Sequence, residues 1–217
     1  MIAIKDAHFV TSSSKLSECP ASLTSEMVVL GRSNVGKSTF INTLLGKNLA
    51  KSSATPGKTR LANFFSTTWE DKENALTTTF NVIDLPGFGY AKVSKSLKKE
   101  WEGFLWELLS ARVSIKLFIH LIDARHLGLA IDRNAKENIQ ALLRPDQAYL
   151  SLFTKFDKLN KNEQHRLFMN APKPFLINAS HFHALSLKYP NLEVVRQTLL
   201  KYLLTNLSQA TKSCTLL

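Results

Sequence analysis

Gly31-Arg32-Ser33-Asn34-Val35-Gly36-Lys37-Ser38 decides how the chain is read. It follows the apolar run Met27-Val28-Val29-Leu30, which reads as a short buried strand. It opens Thr39-Phe40-Ile41-Asn42-Thr43-Leu44-Leu45, whose apolar residues at 40, 41, 44 and 45 have helical spacing. A strand, then G-x-x-x-x-G-K-S, then a helix is the context in which a phosphate-binding loop works. The glycines let the backbone bend so that successive N–H groups face a polyphosphate, and the helix start adds its positive dipole end. In this reading Lys37 reaches the outer phosphates and the Ser38 hydroxyl ligates a magnesium ion. The alternative is a chance glycine-lysine turn before a helix, which pattern and context together disfavour.

Outward from that loop the chain alternates strands and helices. Residues 46–60 are polar and carry the turn Pro56-Gly57, so they read as a mobile loop. Strand-like runs follow at 61–68 and 76–84, and the polar stretch between them predicts a hairpin. Apolar positions 97, 101, 104, 105, 108 and 109 form a helical stripe. Residues 115–122 are almost continuously apolar, as in a strand buried on both faces. A helix is predicted from positions 131, 135, 139, 142 and 143, then a buried strand at 148–153. Asn160 with Glu163 three residues on is a capping box. Residues 174–177 make a last strand, and Asn191 caps a final helix with a stripe at 192, 195, 199, 202 and 203. The expected architecture is an α/β three-layer sandwich, its mainly parallel six-stranded sheet carrying one antiparallel strand. The expected division is an N-terminal lead-in (1–25), one domain (26–208) and a flexible tail (209–217).

At 217 residues the chain is long enough for one well-buried core, and its 44% hydrophobic and 21% charged residues are those of an ordinary globular protein. The formal charge of +11 favours an anionic partner larger than a nucleotide. Cys19 and Cys214 stand near opposite ends, which argues against structural disulfides or a zinc site. No secretory leader is visible and no apolar run approaches the roughly 20 residues that cross a bilayer. A cytoplasmic monomer without membrane attachment is expected.

In a parallel sheet, ligands collect beyond the carboxyl ends of the strands. Four polar clusters fall there: 31–38, Asp84-Leu85-Pro86-Gly87, Thr154-Lys155-Phe156-Asp157 and Asn178-Ala179-Ser180. Asp84 fits a magnesium-side carboxylate acting through a coordinated water. Gly87, having no Cβ, lets its N–H approach a γ-phosphate. The Asp157 carboxylate can accept N–H donors from guanine N1 and N2, a pair that adenine lacks. A bidentate contact of this kind discriminates bases by about 1–3 kcal/mol. The Lys155 stem can lie along the base face. His181 and His183 lack a third ligand for a metal. His120 reads as a satisfied buried side chain, Trp101 and Trp106 as packing residues.

These motifs, with Thr55-Pro56-Gly57-Lys58-Thr59, the extended Asp84-Leu85-Pro86-Gly87-Phe88-Gly89-Tyr90-Ala91 and the strand end Asp123-Ala124-Arg125-His126, closely resemble the EngB (YihA/YsxC) family of bacterial GTP-binding proteins. The resemblance spans about residues 7–205. It implies a Ras-like fold, GTP hydrolysis to GDP with magnesium, a role in assembling the large (50S) ribosomal subunit, and a need for the protein in normal cell division and septation. By motif, Thr59 would ligate magnesium beside Ser38, and Gly57, Lys58, Thr59, Arg60 and Leu61 would lie against the nucleotide. Asn178, Ala179 and Ser180 would turn backbone N–H groups to guanine O6. Thr154 replaces the usual asparagine of the guanine motif, so modest, micromolar-scale affinity is expected. In the last motif Ala179 replaces a hydroxyl residue.

Phe88 stands where a Ras-type GTPase has a water-orienting glutamine, so intrinsic hydrolysis should be slow, resting on magnesium, Lys37 and P-loop amides. Asn34 resembles the P-loop asparagine of GTPases that recruit potassium. Lysines 47, 51, 58, 92, 95, 98 and 99 cluster on the two expected switch loops, where GTP-dependent ordering could offer them to rRNA phosphates. The rival readings are a P-loop ATPase or nucleotide kinase, and a basic RNA-binding module with a merely structural nucleotide site.

Overall fold

A computed structural model describes residues 1–51, 61–88, 95–170, 175–177 and 192–204. Seven strands form one sheet: β1 (Ile2–Ser13), β2 (Glu26–Gly31), β3 (Ala62–Asp71), β4 (Leu76–Asp84), β5 (Ile115–Asp123), β6 (Ala148–Thr154) and β7 (Phe175–Ile177). The helices are α1 (Lys37–Leu45), α2 (Lys95–Ala111), α3 (Ala130–Leu142), α4 (Lys161–Asn170) and α5 (Leu192–Leu204). The spatial order is β1-β3-β4-β2-β5-β6-β7. β2 pairs in parallel with both β4 and β5, so the chain reverses its direction of travel across the sheet at β2. That switch point opens a crevice beyond the carboxyl end of β2, where the phosphate loop begins.

The three-layer sandwich and its single antiparallel strand are present; that strand is β3, antiparallel to both neighbours. The strand count differs from expectation. Residues 2–13, read from sequence as part of a lead-in, pair with β3 along its length, from Ile2↔Asp71 to Ser13↔Ala62. The partner lies some 50 to 70 positions away, so no local pattern announces the pairing. Lys47 adds a staple, donating to the Ala7 carbonyl at 2.8 Å and to Asp6 at 3.3 Å.

β2 shows why the sheet is covered twice. Met27 and Val29 face one apolar cluster with Phe40, Ile41, Leu44 and Leu45 of α1 and Val195, Leu199 and Leu203 of α5. Val28 and Leu30 face the other, with Phe104, Leu108 and Leu109 of α2 and Ile139 of α3. Period-two alternation with both faces apolar is what a central parallel strand requires. Trp106, expected to pack, is instead on the exposed side of α2. The capping box forms as read: the Asn160 N–H donates to Glu163 at 2.8 Å and the Glu163 N–H to Asn160 at 3.0 Å.

Candidate nucleotide-binding site

The phosphate loop leaves β2 through Gly31, whose φ is +154° and whose missing Cβ would lie 2.7 Å from the Leu121 carbonyl oxygen. Asn34 (φ 60°) and Gly36 (φ 107°) take left-handed backbone, turning the chain into α1. The N–H groups of Asn34, Gly36, Lys37 and Ser38 find no acceptor among the described residues. Unsatisfied amides at a helix start are the donors a phosphate needs. The Ser33 N–H does not join them: it donates to the Phe88 carbonyl at 3.1 Å, while the Phe88 N–H donates to the Gly31 carbonyl at 3.3 Å. The segment after β4 is thus laid against the loop as a short parallel bridge between Arg32 and Phe88. Gly87 permits that approach, since a Cβ there would stand 2.8 Å from Ser33 N and 2.9 Å from Lys37 Nζ.

Asp84 ends β4 buried, and burial pushes its carboxyl up to about 6 against the opposing pull of Lys37 and Asn63. Its Oδ1 has no hydrogen-bond partner among the described residues. Burial also lowers the Lys37 ammonium, with Asp84 opposing. Among the described residues the Ser38 hydroxyl makes only a long 3.5 Å contact, donating to the Lys51 carbonyl. An orphaned carboxylate oxygen and an under-used hydroxyl are hard oxygen donors of the kind magnesium takes, so the residues fit that ion. It would supply charge neutralisation at the phosphates.

Beyond β6 the second cluster meets the first. The Thr154 hydroxyl donates to the Val35 carbonyl at 2.7 Å. The substitution that sequence treats only as a lost amide therefore keeps a tether to the phosphate loop. Lys155, at φ 57°, sends Nζ back to the Asn34 carbonyl at 2.7 Å and to Asp123 Oδ2 at 2.9 Å. Phe156 is buried against Ala124, Phe153 and Leu167, which seats the turn 156–158. Asp157 in that turn is partly exposed and pairs with Lys158 at 3.2 Å. Ala124 N–H donates to the Thr154 carbonyl at 3.0 Å, joining the ends of β5 and β6.

Of the expected site residues, the structure brings together 31–38, 84–87 and 154–157 at one edge of the sheet. Leu61, the residue before β3, is exposed. Gly57, Lys58, Thr59, Arg60, Asn178, Ala179, Ser180, His181 and His183 lie outside the described residues. His120 is fully buried, with Nδ1 2.6 Å from the Tyr149 hydroxyl; its Nε2 lies 3.4 Å from Asp132 with no hydrogen bond, so it is only half satisfied. Phe88 packs its ring against His120, centroids 5.7 Å apart. Sequence reasoning missed Asn42, whose side chain accepts from Leu49 N–H and Ala50 N–H and so folds the chain after α1. A polar residue amid the apolar face pattern of α1 was the available signal.

Comparison with known proteins gives the family. A family model described as a 50S ribosome-binding GTPase matches residues 26–155. A probable GTP-binding protein EngB of Helicobacter pylori strain J99 is 92% identical over 206 residues, covering 95% of this chain and 99% of the relative. The chain belongs to the EngB family of GTP-binding proteins. It is a P-loop GTPase, binding GTP and hydrolysing it to GDP. A more distant EngB from Helicobacter hepaticus is 54% identical over 168 residues, covering 77% of this chain and 75% of that one. In fold, the chain is similar to the crystal structure of a probable EngB, with a TM-score of 0.57 at 22% identity over 82% of this chain and 98% of that one. It also resembles Era, solved with MgGDPNP and a 16S ribosomal RNA fragment, with a TM-score of 0.61 at 23% identity over 83% of this chain and 57% of that one. Among the described residues no helix is long and apolar enough to cross a membrane.

Proposed function

We propose that this EngB-family GTPase is a magnesium-dependent switch acting in assembly of the 50S subunit, and through it in cell division and septation. The observation that carries the nucleotide half is the buried Asp84 carboxylate, with an oxygen that meets no hydrogen-bond partner among the described residues, at the same strand edge as the open amides of the phosphate loop. Ser38 and Thr59, with Asp84 acting indirectly, would hold magnesium, which would neutralise charge at the phosphates, and Lys37 and Asn34 support hydrolysis there. Gly31 to Ser38, 57–61, 84–87, 154–157 and 178–180 form the nucleotide-binding set, with Asp157 reading guanine. Hydrolysis by the isolated protein is slow, because Phe88 has no group that orients water.

The ribosomal half draws support from the family description and from the net charge of +11, which suits rRNA phosphates. Lys47, engaged with β1, is a poor candidate for that contact. Lys51 is exposed, lysines 58 and 92 lie outside the described residues, and nothing is described of the side chains of 95, 98 and 99. The protein works as a cytoplasmic monomer.

Titration with mant-GTP and mant-ATP, with magnesium or EDTA, tests the nucleotide half. Micromolar-scale mant-GTP binding that weakens in EDTA is expected, and equal affinity for mant-ATP would favour an ATPase. Asp157→Asn should move preference from guanine to xanthine nucleotides, whose N1–C2 edge matches an amide. Pelleting with 50S particles tests the switch: binding that is the same with GTP, GDP and no nucleotide would remove it. Exchange of potassium for sodium that leaves turnover unchanged, with and without 50S particles, would remove the potassium role of Asn34.

A further inference from the structure

Asp123 closes β5 with its carboxylate nearly buried, and the phosphate and base contacts described above leave it without a task. Both of its oxygens are occupied. Oδ1 accepts from the Arg125 N–H at 3.1 Å and from Arg125 Nε at 3.0 Å. Oδ2 accepts from Arg125 Nη2 at 2.8 Å and from Lys155 Nζ at 2.9 Å. Lys155 in turn donates to the Asn34 carbonyl of the phosphate loop. One carboxylate therefore links the ends of β5 and β6 with the loop that opens α1.

We propose that Asp123 is a positioning residue for the guanine nucleotide, fixing Lys155 Nζ between the phosphate loop and the base end of the cleft while holding Arg125 away from Asp157. The proposal rests on the reading of 154–157 as the guanine segment. A lysine ammonium sits on a four-carbon stem and takes any of several rotamers unless acceptors choose one. Here two acceptors at fixed places, Asn34 O and Asp123 Oδ2, use two of its three N–H groups. Its side chain is 28% exposed, so the remaining N–H can meet a ligand. The left-handed backbone at Lys155 aims the stem back over the loop.

Arg125 is the second half of the argument. Its side chain is 42% exposed, and its guanidinium donates to Asp123 through two parallel N–H···O contacts. It also feels the negative charge of Asp157. Were Asp123 neutral, Arg125 would be drawn toward the carboxylate that the base must reach. Asp123 stays ionised under these conditions, since the hydrogen bonds and charges of Arg125 and Lys155 hold it well below the usual carboxylate range in spite of its burial.

Stopped-flow binding of mant-GDP to the full chain, in magnesium, tests this with Asp123→Asn, Lys155→Met, the double variant, and Asp123→Asn combined with Arg125→Ala. Asp123→Asn should weaken mant-GDP binding ~10–100-fold through faster dissociation, as expected for loss of a charge-assisted pair. Added to Lys155→Met it should cost clearly less than it does in the unmodified chain, because the part of its effect that runs through Lys155 is already lost. Arg125→Ala should recover part of the Asp123→Asn loss. The melting point of the nucleotide-free protein reports any fold defect separately. Asp123→Asn within twofold of the unmodified chain, or losses that simply multiply with Lys155→Met, would overturn the positioning role. Absence of recovery by Arg125→Ala would overturn the role assigned to Arg125. Asp157→Asn with mant-XDP keeps the two levels apart. If preference does not move to xanthine, the base-site reading fails. If it moves and Asp123→Asn is silent, only the present proposal falls.

Discussion

At the amino end of β2 the Glu26 carboxylate is fully buried and receives Arg112 Nε at 2.7 Å, Arg112 Nη2 at 2.5 Å and the Ser114 hydroxyl at 2.7 Å. At the opposite edge of the sheet the Asp84 carboxylate, also buried, keeps an oxygen with no hydrogen-bond partner among the described residues. Both are charges taken out of water, which costs several kcal/mol each unless something compensates. The first is compensated within the chain, and Arg112 further donates to the Pro20 carbonyl and lies over the Phe64 ring. The second has no such partner among the described residues. A closed charge is scaffold, and an open one is a place kept for a ligand.

The sharpest way to break this contrast is to open the closed end. Glu26→Ala leaves the Arg112 guanidinium buried without a counter-charge and should cost about 3–5 kcal/mol of folding stability in urea unfolding. The remaining folded protein should bind mant-GDP almost as before, since the change lies at the far end of the sheet.

Closing the open end should do the reverse. The Asp84 carboxyl is raised from 3.8 to about 6, so the folded chain holds more protons than the unfolded one between those values. Its penalty on stability is absent below the lower value and complete above the higher. Asp84→Asn should therefore stabilise the nucleotide-free protein by about 1–3 kcal/mol at pH 8, a gain that disappears toward pH 4. The same variant should lose the magnesium dependence of nucleotide binding. Melting curves across pH in EDTA, set beside mant-GDP titrations in magnesium, separate the two effects.

Two smaller substitutions sharpen the comparison. Thr154→Val keeps the shape of the side chain but leaves the Val35 carbonyl without its donor, at about 1–2 kcal/mol. It should show in nucleotide dissociation as well as in unfolding, because the contact joins the base segment to the phosphate loop. Asn160→Ala removes a helix cap on an exposed surface and should cost about 0.5–1 kcal/mol with no change in nucleotide affinity.

What could be read without coordinates was what is decided within a few residues. The 31–38 loop needs glycines at fixed offsets before a helix, and Asn160 with Glu163 needs only one helical turn, so both are visible in the letters. The strand runs at 115–122 and 148–153 declare themselves because a strand covered on both faces is apolar throughout. β1 does not. Its residues alternate poorly, two bulges interrupt its register, and its partner is chosen by distant pairing. The contacts of Thr154 and Lys155 with the phosphate loop are hidden for the same reason: each joins residues more than a hundred positions apart. Phe88 was legible as a missing glutamine, but its bridge to Arg32 depends on how closely Gly87 lets two backbones approach.

The long first strand has a practical consequence for anyone who trims the molecule to its motifs. A fragment beginning at residue 26 would strip β3 of its neighbour, baring a ten-residue row of backbone donors and acceptors beside Phe65 and Trp69. An unguarded apolar border of that length recruits other chains. Such a fragment should precipitate or self-associate even though every phosphate-binding residue is intact, and a reporter fused ahead of Ile2 would need a spacer long enough to leave the strand in place.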